Sequence, residues 1–120
     1  MTKSVSPYLF HFAQPQEWKN NTSENYQPAS YTEEQFVHLC NASQAAGVYQ
    51  RFFKGHDVTL LALEHVAVQH QVRWEDLYGH GEFPHLYMPI PRRAVRELLN
   101  LTGADPNAEE KVQQFVASPE

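Results

Sequence analysis

Residues 58–63, Val58-Thr59-Leu60-Leu61-Ala62-Leu63, form a nearly continuous apolar run. A run this short and this apolar fits a central strand covered on both faces. Other short segments have strand character: Tyr8–Ala13, which is aromatic and stops before Pro15, then Phe36–Cys40, Gln71–Glu75 and Phe83–Tyr87. Helix signals lie between them. Gln14-Pro15-Gln16-Glu17-Trp18 suits a first helical turn, because proline fits the first helical position and an acid complements the dipole. Asn41 and Gln44 have capping-box spacing. Ala45, Val48, Tyr49, Phe52 and Phe53 follow at helical spacing and predict one apolar face, ended by Gly55.

The remaining segments read as follows. Residues 19–31, rich in Asn, Ser and Pro, predict a long loop, and 76–82, with Gly79 and Gly81, a flexible turn. Residues 64–70 predict one helical turn. After Pro89 and Pro91, the stripe Val95, Leu98 and Leu99 predicts a helix closed by Gly103. Val112, Phe115 and Val116 predict a weak helix in the tail. Strands and helices mix without regular alternation, so the expected class is α+β. The expected organisation is a disordered lead-in at 1–7, one globular domain at 8–103 and a tail at 104–120, within the size of one domain.

Three histidines stand inside apolar or aromatic runs: His11 in Leu9-Phe10-His11-Phe12, His38 in Val37-His38-Leu39 and His85 in Pro84-His85-Leu86. A buried imidazole needs a partner or a purpose. With Glu75, in Arg73-Trp74-Glu75, they suggest side chains converging on one cleft. The net charge of −5 argues against binding duplex nucleic acid, which relies on Lys and Arg, but leaves room for a small anionic ligand. The single Cys40 allows no disulfide within the chain and favours a reducing, cytoplasmic setting. No apolar run approaches the ~20 residues that span a bilayer, and the first residues lack the apolar core of a signal peptide.

Several blocks in order resemble a known family. They are Leu9-Phe10-His11, Trp18, Glu34 to Leu39, Gln44, Phe53-Lys54-Gly55, Leu60 to Leu63, Val72 to Glu75, Phe83 to Tyr87, Pro91 and Ala94-Val95. Together they resemble the small bacterial and plant proteins of Domain of Unknown Function family 952. The resemblance implies an ADP-ribosyltransferase-like fold, a split and strongly bent β-structure whose cleft holds NAD in the enzymes of that fold. His11 would match the first NAD-contacting strand. His38 would match the His-bearing strand of RNA 2′-phosphotransferases. The chain departs from the family's usual Gly at Gln35 and Met88, and from its usual Ser at Cys40.

Cleaving the glycosidic bond of NAD builds positive charge on the ribose, so a carboxylate nearby helps. Glu75, at a strand end beside a flexible loop, is the expected charge-stabilising group. His11 and His38 would donate hydrogen bonds to ribose hydroxyls or a phosphate. His85, Arg73, Tyr87 and Gln44 are the expected ligand-binding residues, Arg73 for phosphate oxygens and Tyr87, Trp18 or Trp74 for stacking on a base. Each has an ordinary alternative: a satisfied structural histidine, an Arg73–Glu75 ion pair, tryptophans as core anchors and Cys40 as a buried filler. At the level of function, the alternatives are a non-catalytic binding module that kept the fold, and a small metalloprotein using His11, His38, His85 and Glu75.

Overall fold

The computed structural model describes residues 7–117. The lead-in expected at 1–7 lies outside them except for Pro7, as do the last three residues of the tail. The apolar run forms β4 (Val58–Glu64), the middle strand of a three-stranded antiparallel sheet of order β1-β4-β8. Its neighbours are β1 (Tyr8–Ala13) and β8 (Val95–Leu101). Alternate residues of β1 and β4 serve opposite faces, as the period of a strand requires. Phe10, Phe12, Leu60 and Ala62 enter one core. Leu9, Ala13, Leu61 and Leu63 enter a second. Burying each of these leucines contributes about 1.5–3 kcal/mol.

Helices cover both cores. α1 (Pro15–Asn20) and the one-turn α2 (Tyr31–Glu34) pack Trp18 and Tyr31 against the second core, whereas α3 (Ala42–Val48) contributes Ala45 to the first core. The capping box forms in both directions at Asn41 and Gln44. α4 (His65–Val68) is the expected single turn, and α5 (Ala108–Ala117) seats Ala108, Val112 and Val116 in the core. A second antiparallel sheet has order β3-β6-β5, from β3 (Val37–His38), β5 (Val72–Glu75) and β6 (Phe83–Leu86). Reciprocal backbone bonds between Phe10 and Cys40 (2.8 and 2.9 Å) tie the two sheets together. The architecture is α+β, antiparallel sheets with flanking helices. Among the described residues no helix is long and apolar enough to cross a membrane.

Four expectations need correction. The helix expected after Pro91 is a strand: Arg92–Ala94 make one tight turn and Val95–Leu101 pair with β4. The apolar spacing there suits either period, and the open edge of β4 decides it. Leu98 faces solvent, while Leu99 and Leu101 pack on the core. Second, the stripe on α3 breaks at Phe52, which is 59 % exposed. The helix widens into a π-turn over Tyr49–Phe53, and the extra residue per turn rotates Phe52 outward while Tyr49 and Phe53 stay packed. Third, the loop at 19–31 is interrupted. Asn25–Tyr26 (β2) pairs with Ile90–Pro91 (β7), and Tyr26 is fully buried. Fourth, Trp74 is not a core anchor, being 41 % exposed on the face of β5 opposite Glu75.

Gln35 has φ +67°, a left-handed conformation that disfavours a Cβ by roughly 1–2 kcal/mol. Its side-chain amide compensates by donating to the Thr32 carbonyl at 2.9 Å. The departure from glycine is therefore accommodated locally. Gly103 has no such freedom: a Cβ there would lie 2.2 Å from the Gly55 carbonyl oxygen.

Candidate functional site

The register of the second sheet builds the site. His38 pairs with His85, which pairs on its other side with Arg73. Residues paired directly across an antiparallel sheet share a face. Phe36, Glu75 and Tyr87, two residues away along their strands, share it too. One face of a small sheet thus carries four aromatic or imidazole rings, a carboxylate and a guanidinium. The other face supplies Val37 and Leu86 to the second core.

The face is tightly interlocked. His85 is 2 % exposed, stacks on Phe36 with ring centres 4.3 Å apart, and donates from Nδ1 to Glu75 Oε1 at 2.9 Å. Tyr87 donates to the same oxygen at 2.6 Å. These two hydrogen bonds, the tyrosine's first, hold the Glu75 carboxyl below the usual range, so it is ionised at neutral pH. A second set mirrors the first. His38 donates from Nε2 to Glu34 Oε1 at 2.9 Å, and Tyr78 also hydrogen-bonds Glu34. The two imidazoles meet edge to face, 5.4 Å between centres. Each histidine therefore has a glutamate partner that is also held by a tyrosine.

His11 approaches from β1. Its Nδ1–H donates to the His38 carbonyl at 2.8 Å. A carbonyl only accepts, so the proton sits on Nδ1 and Nε2 keeps its lone pair. Burial pushes the ring's pKa down to about 4, partly offset by that bond. At neutral pH the free nitrogen of His11 is therefore an acceptor. The expectation that His11 donates to a ligand hydroxyl is reversed: it would receive that hydrogen bond.

An open cleft of about 1350 Å³ runs between the sheets, and His11, His38, His85 and Glu75 all line it. Glu34, Tyr78 and His80 join them at one end, Arg51, Phe52 and Phe53 at the other. Met88 packs against the second core and is not part of the lining. Three expected ligand-binding residues do not line the cleft either. Arg73 lies over the Tyr87 ring at 5.0 Å, and among the described residues no ion pair joins it to Glu75. Tyr87 orients Glu75 from behind. Gln44 is committed to the structure: its Oε1 accepts from the Asn41 N–H and its Nε2 donates to the Glu82 carbonyl at 2.7 Å. Trp18 is engaged by Arg92, whose guanidinium lies 4.0 Å from its ring centre.

Cys40 is buried and its thiol is pushed up to about 12 by desolvation, so it is an inert filler. Among the described residues no group of three His, Cys, Asp or Glu side chains is placed to hold a metal ion. Glu34 and Tyr78 are the site residues that sequence reasoning missed. The only signal was the separation of four between Glu34 and His38, which reads as helical although the chain turns sharply at Gln35 between them.

Fold and site together define an α+β domain with a histidine- and carboxylate-lined cleft between two antiparallel sheets. The chain belongs to the family described as "Protein of unknown function (DUF952)", which matches residues 12–98. It is similar to the protein CC0527 from Caulobacter crescentus. Its X-ray structure has 24 % identity and a TM-score of 0.78, covering 92 % of this chain and 99 % of that one. Its solution NMR structure has 25 % identity and a TM-score of 0.71, covering 84 % and 89 %. No curated protein matches the chain.

Proposed function

We propose that the cleft binds NAD, ADP-ribose or a related phosphorylated nucleotide within an ADP-ribosyltransferase-like architecture. The proposed reaction is transfer or hydrolysis at a ribose C1 or a 2′-phosphate, in the reducing cytoplasm that a lone free cysteine suits. The observation that carries this reading is the convergence of His11, His38, His85 and Glu75 on one open cleft. Glu75, ionised and fixed by two donors, would stabilise positive charge developing on the ribose. His11 Nε2 would accept from a ribose hydroxyl, and His38 would orient a second polar group. His85 would hold Glu75 in place.

Calorimetric titration with NAD, ADP-ribose and 2′-phosphorylated nucleotides tests the reading. Binding is expected to stabilise the fold by about 2.7 kcal/mol at a hundredfold excess over Kd. Absence of heat with every one of them at millimolar concentration removes it. Binding without turnover, scored by release of the base or phosphate, would instead support the non-catalytic module.

A further inference from the structure

Phosphorylated ligands need compensating cations, and the cleft is poor in them. Glu17, Glu34, Asp57 and Glu75 line it against a single guanidinium, Arg51. Among the described residues, no lysine or arginine forms an ion pair with any of these four carboxylates. At the histidine end, Glu34 and Glu75 are held by imidazole and phenol donors. Arg73, which would balance Glu75, is turned onto the Tyr87 ring outside the cleft and acts only weakly on that carboxylate. Arg51 stands over Phe52, which is mostly exposed, so much of its charge is screened by water. A cleft whose lining carries an excess of one sign of charge concentrates ligands of the other.

We propose that this cleft selects a cationic N-riboside, a positively charged base on an unphosphorylated ribose, over phosphate-bearing nucleotides. The inference rests on the ribosyl reading of the same site: it keeps the chemistry at ribose C1 and ranks an unphosphorylated riboside above the phosphorylated ligands of that reading. The positive base would sit in the cleft beside Glu34 and Glu75, whose carboxylates favour it both before and during loss of the base. The ribose hydroxyls would meet His11 Nε2 as donors. A pyrophosphate would face two carboxylates with no lysine or arginine paired to them, which costs binding.

The test is calorimetry at pH 8, where ordinary imidazoles are neutral, with nicotinamide riboside, NAD and ADP-ribose as probes. The riboside should bind at least roughly tenfold more tightly than ADP-ribose, NAD should fall between them, and the gap should narrow in high salt. Glu34→Gln should weaken the riboside and strengthen ADP-ribose, a change of opposite sign for the two ligands. If ADP-ribose binds as tightly as the riboside, or the substitution moves both in the same direction, this selectivity is refuted while the nucleotide reading stands. If none of the three binds, the selectivity is refuted, and the nucleotide reading then stands or falls on the 2′-phosphorylated nucleotides alone.

Discussion

The sheets β1-β4-β8 and β3-β6-β5 are both three-stranded and antiparallel, yet they are held together differently. Strands of the first are 6 or 7 residues long, and β1 and β4 bury nearly every side chain on one core or the other. Strands of the second are 2 or 4 residues long, too short for the backbone ladder alone to hold them firmly. Cross-strand side chains do that work there: Phe36 on His85, His85 on Glu75, Tyr87 on Glu75, Arg73 on Tyr87. One sheet is a platform held mainly by apolar packing, although its β1 carries the buried, titratable His11. The other keeps polar groups oriented at a cleft by using them as its own fastenings.

This contrast can be broken or sharpened by experiment. Leu61→Ala, in the middle of the platform, should destabilise the fold by about 2–5 kcal/mol in urea denaturation, because the second core cannot collapse around the void. A loss below about 1 kcal/mol would mean the platform is not the principal support. The next effect is in pH dependence. His11 is held at about 4 against its ordinary 6.5. Below 6.5 the unfolded chain takes up a proton that the folded chain refuses. The stability this ring permits is therefore complete above 6.5 and is lost as pH falls toward 4, by about 3 kcal/mol. His11→Phe should remove that slope, measured as the difference between variant and parent across the window; equal slopes would show that the ring titrates normally.

The smallest effect is confined to the second sheet. Tyr87→Phe deletes the hydrogen bond that contributes most to holding Glu75 down. The carboxyl pKa should rise toward its ordinary value, observable by NMR titration. Since a depressed carboxylate adds stability that is present above its unfolded pKa and lost as pH falls through the folded one, the variant should lose less on acidification. An unmoved Glu75 titration would assign its depression to His85 instead.

Much of the platform could be read directly. The apolar run at 58–63, the aromatic β1 and the Asn41–Gln44 box carry local signals that the fold obeys. β8 was misread because Val95, Leu98 and Leu99 satisfy a helical stripe, and only the unfilled edge of β4 selects the extended form. Phe52 was misread because a π-turn leaves no mark in apolar spacing. Within the site, His11, His38, His85 and Glu75 stood out as polar groups in or beside apolar runs, and all four line one cleft. Gln44, Arg73 and Tyr87, expected to bind a ligand through their own donors or rings, are taken up by partners elsewhere in the sequence.

By itself the sequence determined which segments must be covered on both faces and which polar residues would need partners once there. Those are consequences of side-chain chemistry and short-range spacing, which a linear chain carries in full. The tertiary structure decided which partner each one found. Glu34 reaches His38 around a left-handed residue, and Glu75 reaches His85 diagonally across two strands. It also decided that Arg73, expected to meet phosphate oxygens, lies over the Tyr87 ring instead. Such pairings depend on register and on the close approach of separate strands, which long-range packing alone sets.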